Sequence, residues 1–160
     1  MSARAIEHRL ASGEWVRLLR GAYRLGGAEC TWEQKIMAAT LVAGPGAVAS
    51  HRAAAALVGM PGVPRWLEVT VPRPRQVAVE GVIAHQTRLL VPEDIGQVKG
   101  IPVTTAGRTI ADLSRVYSKA KMDPILNYAM ANRLVTRAEM VGRATGRKHD
   151  DVLRKLLAER

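Results

Sequence analysis

Three arginines stand close together in "VRLLRGAYRL": Arg17, Arg20 and Arg24. A guanidinium is a planar fork of donors that can meet two phosphate oxygens at once. Arg20-Gly21 reads as a two-residue turn between two short strands. Counting outward pairs Leu19 with Ala22, Leu18 with Tyr23, Arg17 with Arg24, and Val16 with Leu25. The predicted hairpin has one apolar side, made by Leu18, Tyr23, Val16 and Leu25. On the other side Arg17 lies opposite Arg24. Like charges directly opposite destabilise a sheet. One reason to hold them there is a polyanion that neutralises both. The other reading is a solvated face, with Glu14 or Glu29 folded over to pair with them.

The segment before the hairpin reads as a short helix over 3–12. Ile6 and Leu10 share a face with Ala3. The opposite face carries Arg4, Ala5, His8 and Ser12, with Arg9 at its edge, and Gly13 is a plausible stop. A helix, a short break and a basic hairpin follow the order of a recognition helix and wing in a winged helix-turn-helix. On that reading Arg4, His8, Arg9 and Ser12 contact base edges or phosphates, and Arg17, Arg20 and Arg24 contact phosphates. A plain exposed helix face has the same pattern.

The charge agrees with an anionic partner. The chain has 160 residues, with 24 Lys and Arg against 14 Asp and Glu, a formal net charge of +10. Such an excess favours nucleic acid. Much of it lies beyond residue 100, so charge alone does not select the hairpin. The hydrophobic fraction of 48% is in the globular range, and with no Phe the core falls to Ala, Val, Leu, Ile and Met. The single cysteine, Cys30, allows no internal disulfide and fits a cytoplasmic protein. No apolar run is long enough for a membrane span, and the charged N-terminus lacks the apolar centre of a signal peptide.

The elements expected to position these residues give an α+β chain. A partial winged helix over 1–27 precedes an α/β domain over 28–160. Thr31 and Gln34 form a capping box for a helix to about Ala43, and Gly44-Pro45-Gly46 ends it. Ser50 caps an Ala-rich helix through Leu57. Leu67, Val69 and Val71 alternate with Trp66, Glu68 and Thr70, which is strand spacing. "RPRQ" reads as a turn and "VEGVIAHQT" as the returning strand. A shorter pair follows around "GQVKGIPVTT", so the sheet is expected to be small and mostly antiparallel. The last third is helical. Thr105 caps a helix presenting Ala106, Ile110, Leu113 and Tyr117. Asp123-Pro124 is a helix start. Thr136 and Glu139 make a capping box, and Asp150 caps a final helix with Leu153, Leu156 and Leu157.

A second group of candidates lies in this domain. His51 and Arg52 open the Ala-rich helix, His85 ends a strand, and Arg108 lies four residues before Asp112. They suit contact with an anion or a partner; the alternative is a structural hydrogen-bonding role, with Arg108 pairing to Asp112. Enzyme signatures are thin. There is no Gly-rich phosphate loop, His-Glu-x-x-His, paired CxxC or nucleophile elbow. Glu68 with Glu80 on adjacent strands is the best carboxylate pair for a metal. The expectation is therefore no catalysis, no metal and no cofactor.

"RLASGEWVRLLRGAYRL", "GPGAVASHRAAAALVGMPG", "GIPVTTAGRTIADL" and "EVTVP" together resemble the AbiEi-type antitoxin family of type IV toxin-antitoxin systems. The likeness is to its actinobacterial branch and runs from residue 3 to about residue 157. It implies an N-terminal winged helix and an α/β antitoxin domain. It also implies a cytoplasmic DNA-binding antitoxin and transcriptional autorepressor. Such a protein binds operator repeats, with a homodimer as the state that suits repeats. It counters a nucleotidyltransferase-type toxin without lasting contact, and no membrane is involved. The branch often carries a Vsr-like endonuclease domain. Members usually open with two helices before the recognition helix, where this sequence starts, so either the start is misplaced or another chain or the following domain covers Ile6 and Leu10; this sequence stops where the endonuclease-like domain would begin. The sequence departs from the family at His85-Gln86, where members often read His-Arg. The alternatives are an interaction module that neutralises a toxin without binding DNA, or the non-catalytic part of an endonuclease-containing protein.

Overall fold

A computed structural model describes residues 2–144 and 150–159. Its elements in chain order begin with α1 (Ala3–Ala11), β1 (Trp15–Leu19), β2 (Ala22–Leu25), α2 (Trp32–Ala43), β3 (Val48–Ala49) and α3 (His51–Leu57). There follow β4 (Leu67–Pro72), β5 (Val82–Thr87), a single 3₁₀ turn (Pro92–Asp94), β6 (Ile95–Val98) and β7 (Ile101–Thr104). The described chain ends with α4 (Ala106–Leu113), α5 (Lys119–Ala131), α6 (Arg137–Arg143) and α7 (Asp151–Ala158). The fold is α+β, with a two-stranded antiparallel sheet and a five-stranded mixed sheet of order β5-β4-β3-β7-β6.

The hairpin turns at Arg20-Gly21 and keeps the expected Leu19–Ala22 pair. Beyond it the register differs. A bulge between Arg17 and Leu19 pairs Arg17 with Tyr23, Val16 with Arg24, and Trp15 with Leu25. The extra residue, Leu18, moves every later partner by one, which exchanges the faces on one strand. Arg17 and Arg24 therefore do not face each other.

The hairpin lies against α2, whose capping box forms as expected: Thr31 Oγ1 accepts from the Gln34 N–H at 3.2 Å, and Gln34 Oε1 from the Thr31 N–H at 3.3 Å. After Gly44-Pro45-Gly46 the chain forms β3, a two-residue strand too short for apolar periodicity to mark. Strand β3 lies antiparallel to β4 and parallel to β7. Strand β5 runs parallel to β4, from Leu67 beside Val82 to Pro72 beside Thr87. The sheet is thus mixed, not mostly antiparallel. "RPRQ" makes the expected turn, with the Arg75 N–H donating to the Pro72 carbonyl at 3.2 Å, but the strand that returns pairs in parallel with β4. Residues 73–81 carry the chain back along the sheet edge. There the Arg75 Nη1 donates to the Pro45 carbonyl at 2.6 Å and the Ala43 carbonyl at 3.3 Å. Gly44 admits this guanidinium, since a Cβ there would meet Nη1 at 2.7 Å. Strands β6 and β7 form the expected short hairpin, with Lys99 and Gly100 at φ 51° and 77°.

Two apolar clusters fill the interior. In one, Ile36, Ala39 and Ala43 of α2 pack with Val69 and Val71 of β4 and with Ala53 and Ala54 of α3. In the other, Ile110, Leu113, Leu126, Met140 and Leu156 pack across the C-terminal helices with Ala55 of α3. The predicted stripe Ala106, Ile110, Leu113 and Tyr117 faces this second cluster, as do Leu153, Leu156 and Leu157. One helix boundary differs: α5 begins after Ser118, and Pro124 lies inside it. A proline removes one backbone donor there. Met122, Ile125 and Leu126 around it are buried, and this packing carries the helix through.

Candidate functional site

The expected nucleic-acid residues separate into exposed and engaged groups. Helix α1 buries none of its residues, and Arg4 and His8 are exposed. Arg9 lies with its guanidinium 4.8 Å from the Trp15 ring centroid and 3.5 Å from Glu14 Oε1. Ser12 closes the helix and donates its hydroxyl to the Arg9 carbonyl at 3.2 Å. Arg17 is exposed, 5.8 Å from the Tyr23 ring centroid, and Arg20 is exposed at the hairpin tip. Arg24 is turned back on its own chain. Its Nη1 donates to the Leu25 carbonyl at 2.9 Å and the Ala28 carbonyl at 2.6 Å, and its Nε is buried without a partner among the described residues. Arg24 thus fastens the end of the hairpin and, out of register with Arg17, forms no facing arginine pair. Neither Glu14 nor Glu29 forms an ion pair with a hairpin arginine among the described residues.

His51, Arg52 and His85 converge, and the group they meet is a carboxylate the sequence analysis did not place there. Glu68 is fully buried. Strand alternation sends Val69 and Val71 into the apolar cluster and turns Glu68 and Thr70 the other way. Helix α3 covers that side of β4. The Arg52 Nη1 donates to Glu68 Oε1 at 2.9 Å, and the Arg52 backbone N–H donates to Oε2 at 3.0 Å. His85 Nε2 stands 2.7 Å from Oε1, and an ionised carboxylate only accepts, so this nitrogen carries the proton. Arg52 also stacks 4.4 Å from the Trp66 ring centroid and 5.2 Å from that of Tyr117. Burial acts to raise the Glu68 carboxyl. The His85 hydrogen bond, the Arg52 backbone N–H and the charges of His51 and Arg52 outweigh it and hold the group below its ordinary value.

His51 enters α3 at φ 49°, a left-handed conformation few side chains adopt. Its Nδ1 lies 3.0 Å from Ser50 Oγ, which also accepts from Thr70 Oγ1 at 2.8 Å. Ser50 precedes α3 as expected, but its hydroxyl is used here and makes no helix cap. The His51 and His85 rings stack at 3.7 Å with an interplanar angle of 19°. Burial and the neighbouring His85 push His51 down to about 4 from 6.5; Asp112 and Glu68 oppose this, and Arg52 adds to it.

His51, Glu68 and His85 offer three ligand atoms within 4.8 Å of one another. Their arrangement does not suit a metal. Imidazole lone pairs lie in the ring planes, and a zinc–nitrogen bond is about 2.0–2.1 Å. The two rings stack with centroids 3.7 Å apart and planes 19° from parallel, so their in-plane lone pairs run side by side and do not aim at one point at bonding distance. The carboxylate is also already matched by a guanidinium. The arrangement is an internal ion cluster that ties α3 to β4 and β5. Glu80 is exposed on the 73–81 connection, while Glu68 pairs with Ile83, so the Glu68–Glu80 pair does not form.

Arg108 belongs to a different group. Its Nε donates to Asp112 Oδ2 at 2.9 Å, and its Nη1 donates to Asp94 Oδ2 at 3.1 Å and to the Leu89 carbonyl at 3.0 Å. Burial works against its charge, but Asp112 and Asp94 outweigh it and raise its pKa. Asp94 also accepts from Arg143 Nη1 at 2.8 Å, and Arg115 lies 3.4 Å from Asp112 and 3.5 Å from Asp150. Cys30 is exposed and unpaired. Among the described residues no helix is long and apolar enough to cross a membrane. No protein-family model matches the chain, and no curated protein matches it.

Proposed function

We propose that the protein binds DNA through α1 and the β1–β2 hairpin, and acts as an antitoxin and transcriptional autorepressor. One observation carries the DNA part: α1 buries none of its residues, and Arg4, Arg17 and Arg20 around it are exposed and form no ion pair among the described residues. His8 lies on the same exposed helix. The formal net charge of +10 adds a favourable long-range field. The finer reading, an AbiEi-type antitoxin acting against a nucleotidyltransferase-type toxin, rests on the sequence resemblance.

The mechanism is electrostatic docking followed by groove contact. Arg17 and Arg20 neutralise backbone phosphates while α1 presents Arg4 and His8 to the groove. Each neutralised phosphate releases counterions, so these two contacts give a slope of log affinity against log salt of about −2. A gel-shift series on DNA from upstream of the protein's own gene tests this. The double variant Arg17→Ala/Arg20→Ala is expected to reduce the slope by about 2. Salt-insensitive binding, or a slope unchanged in that variant, refutes the reading.

A further inference from the structure

We infer a second anion site: a cleft of about 750 Å³ at the carboxyl ends of β4 and β5, built to take the phosphate groups of a nucleotide or a nucleic-acid strand. Parallel pairing creates it. Pro72 and Thr87 are in register at the ends of the two strands, so the next residues, Arg73 and Arg88, emerge side by side. The Arg73 N–H donates to the Thr87 carbonyl at 2.9 Å and fixes that juxtaposition. An antiparallel return would have put these arginines at opposite ends of the sheet. Ligands of open sheets with parallel strands settle outside the carboxyl ends of the strands.

Arg73 and Arg88 are exposed, and neither forms an ion pair among the described residues. Arg108, Arg115 and Arg143 form the opposite wall, on α4, just beyond it, and on α6. Asp94 fixes two of these guanidinium groups, and Asp112 and Asp150 flank the third. Among the described residues five arginines thus meet four carboxylates, Asp94, Asp112, Glu139 and Asp150, and the positive excess lies at Arg73 and Arg88, which no carboxylate pairs. Guanidinium groups held by carboxylates need little reordering to receive an anion, which favours binding. Among the described residues no aromatic side chain lines the cleft, so what they offer is phosphate contacts and not a stacking surface for a base. Its volume lies in the range of small-ligand sites, about 300–1,000 Å³.

The test is isothermal titration of the full chain with inorganic tripolyphosphate and, separately, with a short oligothymidylate. Loss of one arginine–phosphate contact costs on the order of tenfold in affinity, so Arg73→Ala/Arg88→Ala is expected to weaken binding about a hundredfold. Both side chains are exposed, so the double variant is expected to keep its melting temperature. If tripolyphosphate responds in this way, the cleft takes a free polyphosphate; if only the oligonucleotide does, it takes a strand backbone. Either result supports the site. Absence of binding by both probes, or affinities unchanged in the double variant, overturns it. Binding to upstream DNA that is lost in Arg17→Ala/Arg20→Ala but kept in Arg73→Ala/Arg88→Ala separates this site from the hairpin. The inference therefore stands or falls independently of the DNA-binding proposal.

Discussion

Lowering the pH from 7 to 5 is expected to destabilise the fold by about 2 kcal/mol through His51 alone. The imidazole titrates at 6.5 when unperturbed and at about 4 in the fold. The unfolded chain therefore takes up the proton first. The stability from keeping His51 neutral is fully present above 6.5 and is lost as pH falls toward 4. At pH 5 the unfolded imidazole is almost wholly protonated and the folded one about a tenth protonated. The ratio of binding polynomials is then roughly 30, and RT times its logarithm gives about 2 kcal/mol. For a chain of this length that corresponds to about 4–8 °C in melting temperature. Thermal unfolding followed by circular dichroism at the two pH values, for the native protein and for His51→Asn, measures it. Asparagine is chosen because it accepts a left-handed backbone better than most residues. The melting temperature of the native protein is expected to fall by that much more than the variant's. Parallel falls in the two proteins would show that His51 is not held neutral by burial and its stacked neighbour.

Two further substitutions probe the ion cluster and the hairpin. Glu68→Ala leaves the Arg52 guanidinium and the His85 N–H without their acceptor in a buried setting, and is expected to cost about 3–5 kcal/mol in urea unfolding. A midpoint within experimental error of the native value would refute the role given to that carboxylate. Arg24→Ala removes two hydrogen bonds to main-chain carbonyls and is expected to cost about 1–3 kcal/mol while leaving the salt slope of DNA binding unchanged. A shallower slope would return Arg24 to the DNA-contacting set.

Local signals in the sequence were legible where they are local in physics. The Thr31–Gln34 box, the alternation of β4 and the leucines of α7 all depend on near neighbours, and each appears as expected. Strand direction does not depend on near neighbours, since apolar alternation is the same in parallel and antiparallel pairs. The proline-rich "RPRQ" suggested a reversal, and the Arg75 contacts that steer residues 73–81 are made to residues some thirty positions earlier. The bulge at Leu18 left no mark in an alternating pattern. Strand β3 is only two residues long and lies below the reach of periodicity.

The candidate site was half legible. His51, Arg52 and His85 were grouped by residue type. Glu68, which joins them, sits at an alternate strand position that reads as solvent-facing until α3 is laid over it. The signal that could have found it was the coincidence of Glu68 and Thr70 with Ser50, His51 and Arg52 at the start of a helix too apolar to be exposed. The arginines at the β4 and β5 ends were individually visible. Only the direction of β5 shows that they are neighbours.

Helix α3 reads His-Arg-Ala-Ala-Ala-Ala-Leu, and consecutive alanines on it serve different interiors, Ala53 and Ala54 on the sheet side and Ala55 on the bundle side. A methyl group has no torsion with which to yield. The spacing of the two halves is consequently dictated by main chain and not by adjustable rotamers, much as a party wall fixes the distance between two rooms. Any change of volume on one side reaches the other only by shifting the whole helix, and with it the histidine, arginine and serine anchored at its first turn.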